Sequence, residues 1–270
     1  LNYPISKLIL EGPENELQLT KNTQPAILTV SYSIFKVLIE EFNFKTNEFK
    51  FFAGHSLGEY TALVCSNSLE FDDAIHLLHE RGKAMQEAVP AGKGGMIAVL
   101  GTEIKNVNEL ISMNKGDGVC EIANDNANGQ VIVSGDINSI NNFQKILQEN
   151  KQKFRLLPVS APFHCSLMKS AAEKMEENIK PVLFKKPRIG IFSNVTASSE
   201  VDPEKIKTLL IQQIFSKVRW RESIINMSGL GVKEFIEIGP GKVLSGLVKR
   251  IIKDCKVNNI NSLEDIKNTF

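Results

Sequence analysis

Residues 49–58 of the chain, FKFFAGHSLG, decide how it folds and where its chemistry lies. The apolar and aromatic run that ends at Ala53 predicts a short strand, and the alanine- and leucine-rich segment from Glu59 to Cys65 predicts a helix. Between them stands Gly54-x-Ser56-x-Gly58, the pattern of a nucleophile elbow, in which a sharp turn lifts the serine hydroxyl out of the sheet. The same turn aims the following N–H groups at the reacting group. Because the pattern stands between a strand and a helix, Ser56 is the candidate nucleophile.

A serine nucleophile needs a base, and the chain has four histidines. His55 is next to the serine and should point the other way in the turn, which favours a packing role. His76 and His79 lie three residues apart on a predicted helix, where an exposed helix face is the ordinary interpretation. His164 follows a predicted strand in the loop Ala161-Pro162-Phe163-His164-Cys165, where active-site groups usually lie, so it is the candidate general base.

Arg81 lies in the otherwise apolar helix predicted over Ala74–Met85. Most arginines in helices are solvated, and this interpretation is favoured on the sequence alone. The alternative is a bidentate clamp on a substrate carboxylate, a task for which the planar guanidinium is better suited than lysine.

Residues 92–160 have their own order of predicted elements, β-α-β-β-α-β, which is the ferredoxin-like pattern. The Asn128-Gly129 pair between two alternating runs predicts a hairpin. We therefore predict a small subdomain inserted into a larger α/β unit made of residues 1–91 and 161–270. Two joints connect them, Gly92–Gly95 and the turn Ser160-Ala161-Pro162. In the larger unit, strands separated by helices predict a parallel sheet. Its remaining predicted helices are 23–41, one capped by Asp72, 167–180, 203–214, 221–227 and one from Gly241 to Ile252; its strands are 189–194 and 233–238.

The composition excludes several classes of protein. Hydrophobic residues make up 42% and charged residues 23%, close to the globular average, and the net charge of +1 provides no basic excess for binding nucleic acid non-specifically. No apolar run approaches the roughly 20 residues of a membrane span. The four cysteines are far apart with no metal-binding spacing, so we expect no metal site and a reducing compartment.

Motifs along nearly the whole chain resemble the malonyl-CoA:acyl carrier protein transacylases and the acyltransferase domains of polyketide synthases. Several specific motifs in the right order carry the resemblance: QPAIL (24–28), GHSLGEY (54–60), RGKAMQ (81–86), and the stretches 124–133, 159–168 and 237–244.

The resemblance implies an α/β-hydrolase-like core with the ferredoxin-like insert and a cleft between them. By position, Ser56 would be the nucleophile, His164 the general base and acid, and Arg81 the group that holds the free carboxylate of a malonyl unit. Gln213 would orient the histidine, and the Leu57 N–H would donate to the oxyanion. Met85, Phe163 and Asn124 match further substrate-binding positions, and an aromatic residue at 163 goes with malonyl over methylmalonyl selectivity.

The implied reaction transfers malonyl from coenzyme A to the phosphopantetheine thiol of acyl carrier protein through a malonyl-serine, supplying fatty acid elongation. Malonyl-CoA would be a substrate, with no bound cofactor. We expect a monomer in the bacterial cytoplasm or an organelle stroma. The acidic carrier protein would dock on a basic face, for which Lys242, Lys249 and Arg250 are candidates, although such lysines are usually only solvated.

One part of the family pattern is missing. The family begins with a strand that leads into a Gly-Gln-Gly-Ser-Gln loop, whose first glutamine donates the second oxyanion hydrogen bond. This chain instead opens at Leu1 in what should be a later helix. We therefore expect an N-terminally incomplete sequence, a sheet one strand short and one oxyanion donor absent.

Three alternatives stay open at this point. A serine esterase or thioesterase would need an acid at a strand end, which the sequence does not provide, and would leave Arg81 without a role. An acyltransferase domain of a polyketide synthase would use the same residues. A non-catalytic docking module for carrier protein would form no acyl-serine.

Overall fold

Helices form the first part of the computed structural model, which describes residues 1, 3–159 and 161–269. Two short helices, α1 (Ile5–Glu11) and α2 (Glu14–Leu17), precede the long helix α3 (Thr20–Phe42), which contains the predicted helix 23–41. Apolar positions three and four residues apart give α3 a buried face that includes Leu28, Phe35 and Leu38. The helix ends where Asn43 takes a left-handed conformation, with φ 51°.

The strand, turn and helix predicted at residues 49–65 are present. Strand β1 (Phe51–Ala53) leads through the turn into α4 (Gly58–Cys65), and α5 (Phe71–Glu87) follows. The prediction that Asp72 caps α5 is wrong, because Glu70 is the cap residue and its side chain makes no capping hydrogen bond. Helices α3 and α5 pack so closely that a Cβ on Gly82 would lie 2.5 Å from the Cα of Lys21.

The segment that follows forms an antiparallel sheet with its own core. Its elements are β2 (Gly94–Leu100), α6 (Ile104–Ser112), β3 (Cys120–Ala127), β4 (Gln130–Asp136), α7 (Ile137–Glu149) and β5 (Lys153–Leu156). The sheet order β3-β4-β2-β5, with every pair antiparallel, is the ferredoxin-like arrangement. Gly129 makes the predicted hairpin turn with φ 70°. The exact division of the chain at residues 92 and 160 stays a prediction, and Ser160 of the predicted second joint lies outside the described residues.

The remainder of the chain returns to the larger unit. It contains α8 (Lys169–Ile179), β6 (Gly190–Phe192), β7 (Ser199–Glu200), α9 (Pro203–Gln213), α10 (Trp220–Gly229), β8 (Glu234–Ile238), α11 (Val243–Ile251), β9 (Lys256–Ile260) and α12 (Leu263–Thr269). Sequence patterns did not predict β9, because Lys-Val-Asn-Asn-Ile lacks a regular apolar alternation. Its strand geometry comes from parallel pairing with β8.

The strands of the larger unit form two separate sheets in the described residues. β1 pairs in parallel with β6, β6 pairs with β7, and β8 pairs with β9. The prediction of a parallel sheet therefore holds for the pairs β1–β6 and β8–β9, whereas β7 pairs antiparallel with β6. Residues of β1 and β8, among them Phe52 and Ile236, line one cavity of about 490 Å³ between the two sheets. In the large core, α4 and α5 pack against α8 and α9. This packing brings the carboxyl-terminal ends of β1, β6 and α9 close to one another.

None of the helices in the described residues combines the length and apolar composition that crossing a bilayer requires.

Candidate active site

The turn after β1 holds Ser56 in an unusual backbone conformation. Its φ is 52°, in the left-handed region that a residue with a Cβ rarely adopts. The turn is so tight that a Cβ on Gly54 would lie 1.9 Å from the carbonyl carbon of Gly58, so position 54 requires glycine. The side chain of Asn194, just beyond β6, stabilises the strained turn through two hydrogen bonds to its backbone. Its Oδ1 accepts the Ser56 N–H at 2.7 Å, and its Nδ2 donates to the Gly54 carbonyl at 2.8 Å.

Ser56 and His164 form the hydrogen-bonded pair that the sequence predicts. The distance from Ser56 Oγ to His164 Nε2 is 2.8 Å, and the distance from His164 Nδ1 to the main-chain carbonyl oxygen of Gln213 is 2.9 Å. A carbonyl only accepts, so Nδ1 carries the proton and Nε2 accepts from the serine hydroxyl. The pair is therefore arranged for His164 to remove the proton of Ser56.

Burial keeps His164 neutral. The side chain is 5% exposed, and desolvation, with the nearby Arg81 cation, lowers its pKa to about 3. The imidazole is consequently in its proton-accepting form across the physiological pH range.

This burial predicts how stability depends on pH. The pKa of His164 in the fold lies below the ordinary value of 6.5, so the neutral ring stabilises the fold fully above about pH 6.5 and less as the pH falls toward 3. Between pH 7 and pH 4, we expect the wild type to lose about 3 kcal/mol more unfolding free energy than a His164→Asn variant. Urea unfolding at both pH values measures the difference. A His76→Asn variant, whose ring is exposed, should behave as the wild type; equal losses in wild type and His164→Asn would contradict the assignment.

Arg81 is buried, not solvated. It is 1% exposed, and its guanidinium donates from Nη2 to Ser56 Oγ at 3.0 Å and to Gln213 Oε1 at 2.8 Å. Nη1 donates to Gln24 Oε1 at 2.6 Å. The interpretation of Arg81 as a solvated helix residue is wrong, because the side of α5 that carries Arg81 faces Ser56. Nε is buried without a partner among the described residues, so the guanidinium retains a free donor.

Gln213 contacts the histidine through its main chain rather than its side chain. The side chain instead joins three groups of the site: Oε1 accepts from Arg81, and Nε2 donates to the Ser56 carbonyl at 3.1 Å and to Glu59 Oε2 at 2.8 Å. Orientation of His164 therefore depends on where α9 ends, while the amide of Gln213 orients Arg81.

The other residues predicted for the site, Leu57, Met85 and Phe163, have different surroundings. The Leu57 N–H has no hydrogen-bond partner within the part of the chain that the structure describes, as an oxyanion donor requires. Met85 is 2% exposed and lies behind Gln24, 4.0 Å from its Nε2, so it supports the arginine from within the core. Phe163 is half-buried beside His164.

Asn124 lies on β3 and is buried. Its backbone bridges to Val218, and two residues further Asn126 Oδ1 accepts a hydrogen bond from His55 Nε2 at 2.8 Å. The His55 ring also packs 5.6 Å from the Trp220 ring, in accord with its predicted packing role. His76 is exposed, and His79 Nδ1 contacts the Lys21 carbonyl at 3.0 Å.

Three polar residues at the centre were not predicted as site residues, Gln24, Glu59 and Asn194. Asn194 ends a predicted strand, a position where side chains of a parallel sheet converge, so a signal for it was present in the sequence. Glu59 directly follows the GxSxG pattern, but only the tertiary structure shows that its carboxylate is buried. Among the described residues, no group of three or more histidine, cysteine, aspartate or glutamate side chains is arranged to hold a metal ion.

A family model described as "Acyl transferase domain" matches residues 2–267. The chain belongs to the acyl transferase family. This acyl transferase is 41% identical over 269 residues to the malonyl CoA-acyl carrier protein transacylase of Bacillus subtilis (strain 168), covering 99% of this chain and 84% of that protein. The predicted resemblance and the predicted α/β fold class are confirmed.

Solved structures are similar to this acyl transferase over nearly its full length. The acyl-carrier-protein-S-malonyltransferase from Bartonella henselae has a TM-score of 0.94 and 41% identity, covering 98% of this chain and 84% of that one. A malonyl-transacylase solved with its type II PKS acyl-carrier protein has a TM-score of 0.95 and 35% identity, covering 99% and 86%.

Proposed function

We propose that this acyl transferase moves a malonyl group from coenzyme A to the phosphopantetheine thiol of an acyl carrier protein, through a malonyl ester on Ser56. The observation that carries the proposal is a buried guanidinium 3.0 Å from the hydroxyl of a Ser–His pair. Any acyl group attached to Ser56 lies beside this cation, which favours an acyl group that ends in a carboxylate. The names of the similar proteins from Bacillus subtilis and Bartonella henselae support the same substrate.

In the first half-reaction, Ser56 Oγ attacks the thioester carbonyl of malonyl-CoA while its proton passes to His164 Nε2. A C–O bond forms and the C–S bond breaks, and the departing coenzyme A thiolate takes the proton from His164. The Leu57 N–H is free to donate to the oxyanion of the tetrahedral intermediate.

In the second half-reaction, the phosphopantetheine thiol gives its proton to His164 and its sulfur attacks the ester carbonyl. The C–O bond to Ser56 breaks, and Ser56 Oγ regains the proton. The substrate malonyl-CoA and the product malonyl carrier protein are both thioesters, so the overall free energy change of the transfer is small. Water is the nucleophile that competes with the thiol for the malonyl ester. Positioning therefore matters more than a strong base.

Besides acyl transfer, the site has to bind the free carboxylate of the malonyl group, and Arg81 is the proposed binding group. Arg81 is held by Gln24 and Gln213, so its planar fork is preorganised for two parallel hydrogen bonds to a malonyl carboxylate. The role of Gln213 in this proposal is therefore to orient the clamp through its side chain and the base through its carbonyl.

The esterase alternative is less well supported by this geometry. A hydrolase triad places a carboxylate on the Nδ1 side of the histidine, where this site has the Gln213 carbonyl. Arg81 would also have no partner in a simple ester. A docking module without catalysis would not need a serine hydroxyl aligned 2.8 Å from a neutral imidazole.

The carrier protein and the cellular context belong to the proposal. Lys242, Lys249 and Arg250 are exposed and remain the proposed docking face for an acidic carrier, and fatty acid elongation is the proposed use of the product. We propose that the chain acts as a monomer. All four cysteine thiols are free, which supports a reducing compartment such as the bacterial cytoplasm or an organelle stroma.

Intact mass spectrometry tests the proposal. The protein is incubated briefly with malonyl-CoA or, in parallel, with acetyl-CoA, and the acylated fraction is measured. We expect a malonyl adduct that disappears on adding reduced carrier protein carrying a phosphopantetheine thiol, and little acetyl adduct. Adducts of equal yield from the two thioesters would contradict the carboxylate clamp, and the absence of any adduct would contradict the acyl-serine.

We expect the Phe163 side chain to determine whether a methyl group on the α-carbon of the substrate is accepted. The ring packs against both the large core and the Met96 side of the small sheet, so it narrows the space next to His164. We expect Phe163→Ser to raise the methylmalonyl-to-malonyl ratio of acyl-serine formation by about 10-fold, because one methyl group is worth roughly 1–3 kcal/mol in a close-fitting pocket. A Phe163→Leu variant should give a methylmalonyl-to-malonyl ratio between those of the wild type and Phe163→Ser. A ratio that is unchanged in both variants would rule out the steric role of Phe163.

A further inference from the structure

Glu59 is a buried carboxylate that the mechanism above does not use. It lies in the first turn of α4, directly after the elbow, and is 2% exposed. Its Oε2 accepts the Asn194 N–H at 3.0 Å and Gln213 Nε2 at 2.8 Å. Both partners also contact the catalytic turn, since Asn194 accepts the Ser56 N–H and Gln213 donates to the Ser56 carbonyl.

Three neighbours set the orientation of the Gln213 amide. The Ser56 carbonyl and the Glu59 carboxylate accept from Nε2, and Arg81 donates to Oε1. The ionised form of Glu59 accepts from Nε2 in a charge-assisted hydrogen bond, whereas a protonated Glu59 accepts only in a weaker, neutral one. Protonation therefore loosens the Gln213 side chain, which is one of the two glutamine side chains that hold the Arg81 guanidinium.

We propose that Glu59 is a positioning residue whose ionised carboxylate holds the Gln213 amide, and through it Arg81, in place, so that malonyl-CoA is accepted only while Glu59 is ionised. This inference rests on the proposed function, because Arg81 is its carboxylate clamp.

The surroundings of Glu59 make it a group that titrates near neutral pH. Burial raises its pKa to about 7, while the hydrogen bonds from Asn194 and Gln213 and the charge of Arg81 oppose the rise. The other titratable groups that face this region are Tyr60, whose pKa burial raises to about 12, and His164, whose pKa is about 3. Neither titrates between pH 5 and 9, and burial lowers the pKa of His55, the neighbour of Ser56, so it is the loss of a midpoint in Glu59→Gln that assigns the midpoint to Glu59.

The first test is the pH dependence of the rate of malonyl-Ser56 formation, measured by rapid quench and mass spectrometry. In the wild type, we expect a plateau above pH 8 and about one tenth of it at pH 6, the proportion left ionised when the midpoint is near 7. Glu59→Gln should show no midpoint and stay at or below the wild-type rate at low pH, whereas Glu59→Asp should keep a midpoint. Glu70→Gln, an exposed carboxylate paired with Lys185, is the matched control and should keep the wild-type profile.

The second test does not need activity. The side-chain amide resonance of Gln213, assigned by its loss in Gln213→Leu, should shift with a midpoint near pH 7 in the wild type. It should not shift in Glu59→Gln. A Gln213 resonance that is constant from pH 5 to 9 in the wild type overturns the inference, as does a rate midpoint that survives in folded Glu59→Gln. If the resonance titrates but the wild type forms no malonyl adduct, the orientation of Gln213 by Glu59 stands and the proposed function fails.

Discussion

A Ser56→Ala variant is expected to form no acyl adduct and to lose at least about 10⁴-fold in malonyl transfer, because the ester intermediate has no oxygen on which to form. Alanine is compatible with the same space, since within the described part of the chain the serine hydroxyl makes its hydrogen bonds with the His164 ring and the Arg81 guanidinium. The loss should therefore be chemical and not structural. Mass spectrometry of the adduct and a coupled assay of coenzyme A release measure it together.

Ser66 provides the matched control for this prediction. It is a buried serine just beyond the end of α4, and its hydroxyl donates to the Leu63 carbonyl at 2.9 Å, away from the site. We expect Ser66→Ala to keep the adduct and most of the transfer rate. A malonyl adduct of normal yield on Ser56→Ala would assign the nucleophile to another residue.

The second large effect is expected from Arg81→Ala, which should lower malonyl-serine formation by about 10²–10⁴-fold. In the proposed complex, the guanidinium would make two charge-assisted hydrogen bonds to the substrate carboxylate, each worth about 1.5–3 kcal/mol. Acetyl-CoA has no such carboxylate, so the malonyl-to-acetyl ratio of adducts should fall by a similar factor. Because both adducts are measured in one preparation, this ratio separates selectivity from any loss of folded protein.

Two further variants sharpen that result. Arg81→Lys keeps the charge but cannot bond the carboxylate through two parallel N–H groups, so we expect an intermediate ratio. Lys83→Ala removes a solvent-exposed cation two residues away on the same helix and should leave the ratio unchanged. A malonyl-to-acetyl ratio in Arg81→Ala equal to that of the wild type would show that another group selects the carboxylate.

The site combines strain with buried charge. Ser56 and His164 both have positive φ, 52° and 59°, and the surrounding hydrogen bonds hold these conformations in place. The Asn194 amide holds the serine turn, and the end of α9 presents the carbonyl that fixes the histidine tautomer. Removing Asn194 or displacing α9 would therefore disturb the nucleophile and the base without touching either side chain.

Local patterns predict much of this fold because their physical causes are local. The GxSxG turn at 54–58 needs glycine at position 54, where the backbone closes on itself, and the Asn128-Gly129 hairpin needs a positive φ, so both can be recognised in the sequence. Strand β9 and the division of the larger sheet were not predicted. Their hydrogen-bond partners are distant in the chain, and no periodicity in residues 256–260 indicates them.

By itself, the sequence determined the family of this protein, its α/β class and the order of elements in the small sheet, and it predicted the pair Ser56 and His164 that the structure brings into hydrogen-bond contact. Only the tertiary structure decided that Arg81 is buried beside the serine, that Gln213 binds the histidine through its carbonyl, and that a buried Glu59 accepts from the Gln213 side chain. The physical reason is that a residue's type and spacing predict its chemistry and its helix or strand. Burial and hydrogen-bond partners depend on contacts such as that between Glu59 and Gln213, which are 154 residues apart in the chain.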